Sequence, residues 1–458
     1  MAFIVPFNGL RFNPEKINSL EDVVTPPYDV INEKNQADFA ARNPYNMIKL
    51  DISKSPGPVD DSDDRYLQAK NYFESWQQEG VLMRDAEPAI YLYHVEYSLP
   101  SGRRFTRKGL VTLVQLSDFS EGIVKPHEET FSTVTADRLR LTDACRAQFS
   151  QVFSLYSDSE GVVMDRLERS RSGPPVAQVR DSGGGVHSVW PITDPACLAE
   201  VQEMFKNKPL YIADGHHRYS TALRYRDFVS KQEGGLAPDS PYGYVMMYLC
   251  AMEDPGLSVL PTHRLVYLPV DLLVGADNSL DDIIARLSPG FIFEEIKGGS
   301  REVLLSEVLD RMDEYTSVRA VFGLYHPGED RCFLLELRED AMDRFSSERP
   351  QALRELDVVI LSDLVINKFL GLDPERSEAE NRVHYYSDPD EALDVAVKAS
   401  LTDSEQLPLL FLMNHTRVDQ VKKVADAKLI MPHKSTYFYP KILTGLLINK
   451  LDPAGDDE

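Results

Sequence analysis

The sequence predicts an α/β to α+β protein built on mixed sheets, and three observations carry this. Short runs rich in branched and aromatic residues alternate with longer helical patterns along most of the chain. Near the middle, the apolar run Pro209–Ile212 passes through Ala213, Asp214 and Gly215 into a helical pattern, which reads as strand, tight turn and helix start. The chain has 458 residues, room for two or three domains, with 43% hydrophobic and 27% charged residues as in a globular protein.

The elements follow in order. Strands are expected at Pro88–Leu99, Leu110–Leu116, Leu210–Ala213, Tyr244–Met252, Val321–Tyr325, Cys332–Leu337 and Pro408–Met413. Helices are expected at Asp64–Gln78, Pro195–Phe205, His217–Ser230, Ser279–Leu287, Arg301–Tyr315, Leu353–Leu370 and Asp388–Ser400. Proline, glycine and acidic clusters mark Ser53–Asp64, Arg169–Gly185 and Gln232–Pro241 as loops. These divide the chain into an N-terminal α/β region (1–115), a central region (116–270) and a C-terminal α+β region (271–450). Residues 451–458 are expected to form an acidic disordered tail.

The formal charge of −24 disfavours nucleic acid and anionic membranes as partners. An anionic ligand would need local cations to offset that field. Cys145, Cys197, Cys250 and Cys332 are far apart, so neither a zinc ribbon nor a disulfide framework is indicated. The N-terminus lacks a positive region and meets Pro6, so no signal peptide is expected, and no apolar run is long enough to span a bilayer. A reducing, cytoplasmic location follows as an expectation. The oligomeric state is left open, a homodimer being one option.

Three polar clusters are candidates for chemistry. In Asp214–Arg218, Gly215 can take positive φ, and the amides of the new helix would face an anion placed over the turn. Asp214, His216, His217 and Arg218 crowd that spot; the plainer alternative is a helix start capped by Asp214. In Lys125–Thr130, His127 and Glu128 form a plausible acid/base pair, the alternative being a solvated loop before a charged helix. A zinc-type His-Glu-x-x-His pattern fails because position 131 is Phe131. In Met431–Lys441, Lys434 and Lys441 could neutralise phosphate oxygens while Ser435 and Thr436 donate to them; the alternative is an ordinary loop. Weaker candidates are Thr25–Asp29, presenting Tyr28 and Asp29, and Pro261–Arg264, whose His263–Arg264 pair either faces the same site or, the favoured reading, meets acids. The P-loop, the dinucleotide fingerprint, the nucleophile elbow and the protein-kinase motifs are all missing from the sequence.

Together these segments resemble the bacterial and archaeal family called domain of unknown function 1015. The residues that carry the resemblance are Thr25–Ile31, Pro126–Thr130 with Asp137–Arg138, Ala213–Tyr219, Leu260–Arg264 and Met431–Lys441. The shorter Gly215–Tyr219 stretch is similar to the nucleotide-binding turn of sulfiredoxin, the ParB-type partition CTPases and the free-serine kinases. Sulfiredoxin has its reactive cysteine where this chain has His216, so that chemistry is not expected. The free-serine kinases are the better guide, with an upstream glutamate as base and an Asp-Gly-x-His-Arg turn for nucleotide and magnesium.

That resemblance implies a nucleotide-dependent phosphotransferase acting on a small hydroxyl metabolite, free serine favoured. Glu128, His127 and Asp214 would be catalytic. Gly215, His216, His217, Arg218, Lys434, Ser435, Thr436 and Lys441 would hold ATP or ADP, with CTP a third candidate, and Asp214 would bind Mg²⁺. The alternatives are a nucleotide-binding switch with a protein partner and a metal-dependent phosphatase or other hydrolase.

Overall fold

The computed structural model describes residues 2–51, 65–99, 102–269, 280–315, 319–373, 377, 380–402 and 406–451. The expected loop Ser53–Asp64 and the tail from Asp452 lie outside the described residues. The chain forms two compact units, Met1–Ser258 with Phe438–Glu458, and Val259–Tyr437. Residues 1–115 and most of the central region thus share one unit, because their strands interleave in a single sheet.

That sheet contains β1 (Ile4–Val5), β2 (Ile90–Ser98), β3 (Arg104–Gln115), β4 (Val124–Lys125), β5 (Val152–Tyr156), β6 (Ala177–Arg180), β7 (Val186–Ile192), β8 (Leu210–Asp214) and β9 (Tyr244–Ala251). The order is β4-β8-β5-β9-β3-β2-β7-β6, with β1 beside β3. The β4–β8 and β5–β9 pairs are parallel and the others antiparallel. Every residue of β9 is buried, which explains its unbroken apolar run: a central strand covered on both faces has no polar side. Opposite it, Gly109 in β3 leaves room for Tyr248, whose ring would lie 2.3 Å from any Cβ there.

The helices of this unit are α1 (Glu33–Arg42), α2 (Arg65–Gln78), α3 (Ser132–Cys145), α4 (Val162–Ser170), α5 (Pro195–Phe205) and α6 (His216–Glu233). At α5 the Asp194 carboxylate accepts from the Ala196 and Cys197 amides and Pro195 opens the first turn; the helix then buries Cys197, Leu198, Val201 and Phe205. β6 lies inside the expected loop Arg169–Gly185, a four-residue edge strand too short to leave a sequence pattern.

The second unit holds β10 (His263–Pro269), β11 (Phe291–Ile296), β12 (Val321–His326), β13 (Arg331–Leu337), β14 (Val383–Tyr386) and β15 (Gln406–Leu412), ordered β11-β13-β12-β15-β10-β14 and antiparallel throughout. The helices α7 (Leu280–Leu287) and α8 (Arg301–Tyr315) follow the sequence pattern. The single expected helix Leu353–Leu370 is instead Gln351–Arg354, Asp357–Ile360 and a wide-turn segment, Leu361–Phe369. All four cysteines are free and buried. No helix among the described residues is long and apolar enough to cross a membrane.

Candidate functional site

The site grows from the end of β8. Asp214 closes the strand, Gly215 turns with φ +90° and α6 begins at His216. Gly215 is required twice. An L residue is strained at that φ, and a Cβ would stand 2.8 Å from both Cζ and Nε of Arg218. The missing side chain lets Arg218 fold back over the turn. Its guanidinium bonds the Asp214 carboxylate at 2.6 Å and donates to the Gln151 carbonyl. Lys441 donates to the other Asp214 oxygen, also at 2.6 Å. Burial pushes the Asp214 pKa up, but Lys441 and Arg218 outweigh it and hold the carboxyl well below the usual range. Gly215, not Asp214, is the cap residue of α6, so the plain capping reading of Asp214 does not apply.

Lys441 reaches Asp214 from 227 residues away because the C-terminal segment is tied to the sheet. Arg107, fully buried in β3, donates to the Tyr439 and Pro440 carbonyls at 3.0 and 2.7 Å. Phe438 packs on Phe153 of β5, with ring centroids 5.7 Å apart.

The second cluster arrives through topology. Because β4 and β8 are parallel, their carboxyl ends lie side by side, so the segment after Lys125 runs past the start of α6. The His127 amide donates to His216 Nε2 at 3.2 Å, and the Phe131 amide to His217 Nε2 at 3.0 Å. A ring nitrogen that accepts is unprotonated, so in neutral His216 the proton sits on Nδ1. That atom lies 3.4 Å from Glu128 Oε2. His216 thus stands beside Glu128 without hydrogen-bonding it through Nδ1, and both histidines fasten the loop to the helix.

His127 itself is 1% exposed, so it does not meet a solvent-borne substrate as the expected acid/base partner of Glu128 would. Burial, then the neighbouring His216, push its pKa down to about 3, which keeps it neutral. This bears on stability. A histidine depressed from its usual 6.5 costs stability as pH falls below 6.5, by about 1.4 kcal/mol per unit until the folded value is reached. Urea midpoints of the wild type should fall between pH 7 and pH 5, and the fall should shrink in His127→Asn. Equal slopes would contradict the neutral assignment.

Beside the turn lies a group that sequence reading did not place in the site. Arg138 of α3 bonds Asp51 at 2.6 Å and Asp137 at 2.7 Å, with its guanidinium 4.3 Å over the Tyr28 ring. Burial raises the Tyr28 pKa and the cations Arg138 and Arg218 oppose it, which places Tyr28 near both. Thr25–Asp29 and Asp137–Arg138 stood out in the sequence, but nothing local joined them to Asp214.

Lys434, Ser435 and Thr436 belong to the second unit, whereas Lys441 belongs to the first. The Ser435 hydroxyl donates to the Pro432 carbonyl, and its own carbonyl accepts from Thr416 at 2.7 Å, so this buried serine closes a turn. Lys434 has φ +54°, and its carbonyl accepts from Arg264 at 3.2 Å. Arg264 was expected to meet acids. It is 2% exposed and bonds the Thr262 and Lys434 carbonyls and lies over the Tyr385 ring. Burial pushes its pKa down to about 10.

The expected Mg²⁺ ligand does not fit. Both Asp214 oxygens are already taken by cations, Arg218 and Lys441.

The family model of DUF1015, described as a protein of unknown function, matches residues 4–359. The chain belongs to this family. No curated protein matches the sequence. Similar solved structures include a free serine kinase mutant in complex with ADP, at TM-score 0.32 and 11% identity, covering 71% of this chain and 89% of that one. A conserved hypothetical protein from Pyrococcus furiosus has TM-score 0.32 and 13% identity, with 72% and 92% covered. SbnI with C-terminal truncation from Staphylococcus aureus has TM-score 0.33 and 8% identity, with 76% and 90% covered. Likenesses at this level decide neither fold nor activity, so the function of this DUF1015 protein is argued from its own residues.

Proposed function

We propose that this DUF1015 protein is a nucleotide-dependent phosphotransferase acting on a small hydroxyl compound, with free serine the favoured acceptor and ATP or ADP the donor. The observation that carries the reading is Glu128, 3.4 Å from His216 Nδ1 beside the N-terminus of α6, where Asp214 fixes Lys441 and Arg218. The first-turn amides of this 18-residue helix favour a phosphate, and the two cations paired with Asp214 add positive charge beside them. Asp214 keeps both cations in place before any ligand arrives, so little reorganisation is needed when negative charge moves between oxygens.

In the transfer, the acceptor oxygen forms a new bond to phosphorus as the bond to the departing nucleotide breaks. The hydroxyl proton passes to the Glu128 carboxylate.

Calorimetric titration with ATP, ADP, AMP and CTP, with and without magnesium chloride, tests the binding half on the full chain. Phosphorus NMR with L-serine tests the transfer. Glu128→Gln should bind nucleotide within about threefold of wild type while losing transfer by at least about 100-fold. A protein that binds none of the nucleotides refutes the reading. Nucleotide binding without a phosphorylated product converts it to a switch.

A further inference from the structure

A cleft beside the turn carries a separate inference, one that does not depend on the anion being a nucleotide. It runs along the α6 face formed by Arg218, Thr221, Ala222 and Tyr225, at the i, i+3, i+4, i+7 spacing of one helix side. Leu141 and Thr142 of α3 stand opposite, and Tyr28, Asp51 and Arg138 also line it. Two polar atoms in its wall lack hydrogen-bond partners among the described residues: Asp51 Oδ2 and Thr221 Oγ1. Both residues are 4% exposed. An unsatisfied buried polar group costs about 1–3 kcal/mol, so two of them in one cleft call for an occupant.

Charge and size narrow that occupant. Asp51 Oδ1 is already paired with Arg138, so Oδ2 needs a donor rather than a further full charge. A cationic head is disfavoured because the Arg138 and Arg218 guanidiniums line the same wall. An anion is disfavoured because the unpartnered Asp51 Oδ2 would face it directly. A neutral hydroxyl meets both needs, donating to Asp51 and bonding Thr221. The cavity measures about 60 Å³. At about 10–15 Å³ for each water-sized group, that holds roughly five such groups, too few for a nucleobase. The rest of the wall is largely apolar, with Leu141, Ala222 and Val245 suited to carbon.

We propose that this cleft binds a short neutral hydroxy compound, a diol or triol of about six heavy atoms, through Asp51 Oδ2 and Thr221 Oγ1. The ligand would share Arg218 with the turn at Asp214, so the two sites are adjacent.

Saturation-transfer difference NMR on the full chain tests this with glycerol and 1,2-propanediol as probes, and with ethanolamine and acetate as charged counterparts. The neutral probes should receive magnetisation and the charged ones should receive much less. Ala222→Leu, which fills the cleft, should abolish the signal in a protein that still melts cooperatively. Thr221→Val, nearly isosteric, should weaken binding by about fivefold or more. No transfer to either neutral probe in the wild type means that the cleft holds water alone, and the proposal falls. A signal unchanged in both variants, or stronger for ethanolamine or acetate, overturns it equally. If Ala222→Leu fails to fold, Thr221→Val still decides.

Discussion

Gly215→Ala should lose nucleotide binding altogether and destabilise the fold by about 3 kcal/mol or more. Two costs add. A non-glycine residue at φ +90° costs about 1–2 kcal/mol in backbone strain. The new Cβ would also stand 2.8 Å from the Arg218 guanidinium and force it off Asp214 and the Gln151 carbonyl. Gly234 is a control at the other end of the same helix. It has φ +75° and nothing within 4 Å of a built Cβ, so Gly234→Ala should cost only the backbone part, about 1 kcal/mol. Urea denaturation of both variants separates the terms. Equal losses would mean that Arg218 does not fold back over the turn in solution.

Lys441→Met should be the other severe change, costing about 3 kcal/mol at pH 7, because it leaves a buried carboxylate with one cation instead of two. The pH dependence has a definite sign. Asp214 is held below its ordinary value of 3.8, so its contribution is present above that pH and is lost as pH falls through the folded value. Without Lys441 the folded value moves up, and the contribution shrinks. The gap between wild type and Lys441→Met should therefore be full at pH 7 and narrow below about pH 4, as read from urea midpoints. The histidine effect is common to both proteins and cancels in the difference. Asp214→Asn with Lys441→Met should cost less than the two single changes summed, since both single changes remove the same Lys441–Asp214 pair. Additivity would mean that Lys441 and Asp214 do not interact.

Much of the fold was legible in the sequence where periodicity and capping were strong. Tyr244–Ala251 is a central strand, and its uninterrupted apolar run says so. Pro195–Phe205 follows the expected bounds because Asp194 and Pro195 mark its start chemically. Val152–Tyr156 was not anticipated, since a short run of four apolar residues around Ser154 suits a helix or a strand equally. Leu353–Leu370 reads as one helix because its apolar spacing is helical, whereas its breaks and wide turns depend on packing.

The site divides in the same way. Local chemistry alone determined that Gly215 begins a helix and that Asp214, His216 and Arg218 share one turn, because five consecutive residues across a strand–glycine–helix junction lie together. Tertiary structure alone decided their partners. Parallel pairing of β4 with β8 brought Glu128 to His216, and anchoring by Arg107 brought Lys441 to Asp214. It also turned His127 into a buried neutral group and set Asp51 beside Arg138. The physical reason is range. Dihedral preferences and helix spacing act over a few residues and can be read along the chain. Which carboxylate meets which cation across 227 residues depends on sheet order, which no local pattern encodes.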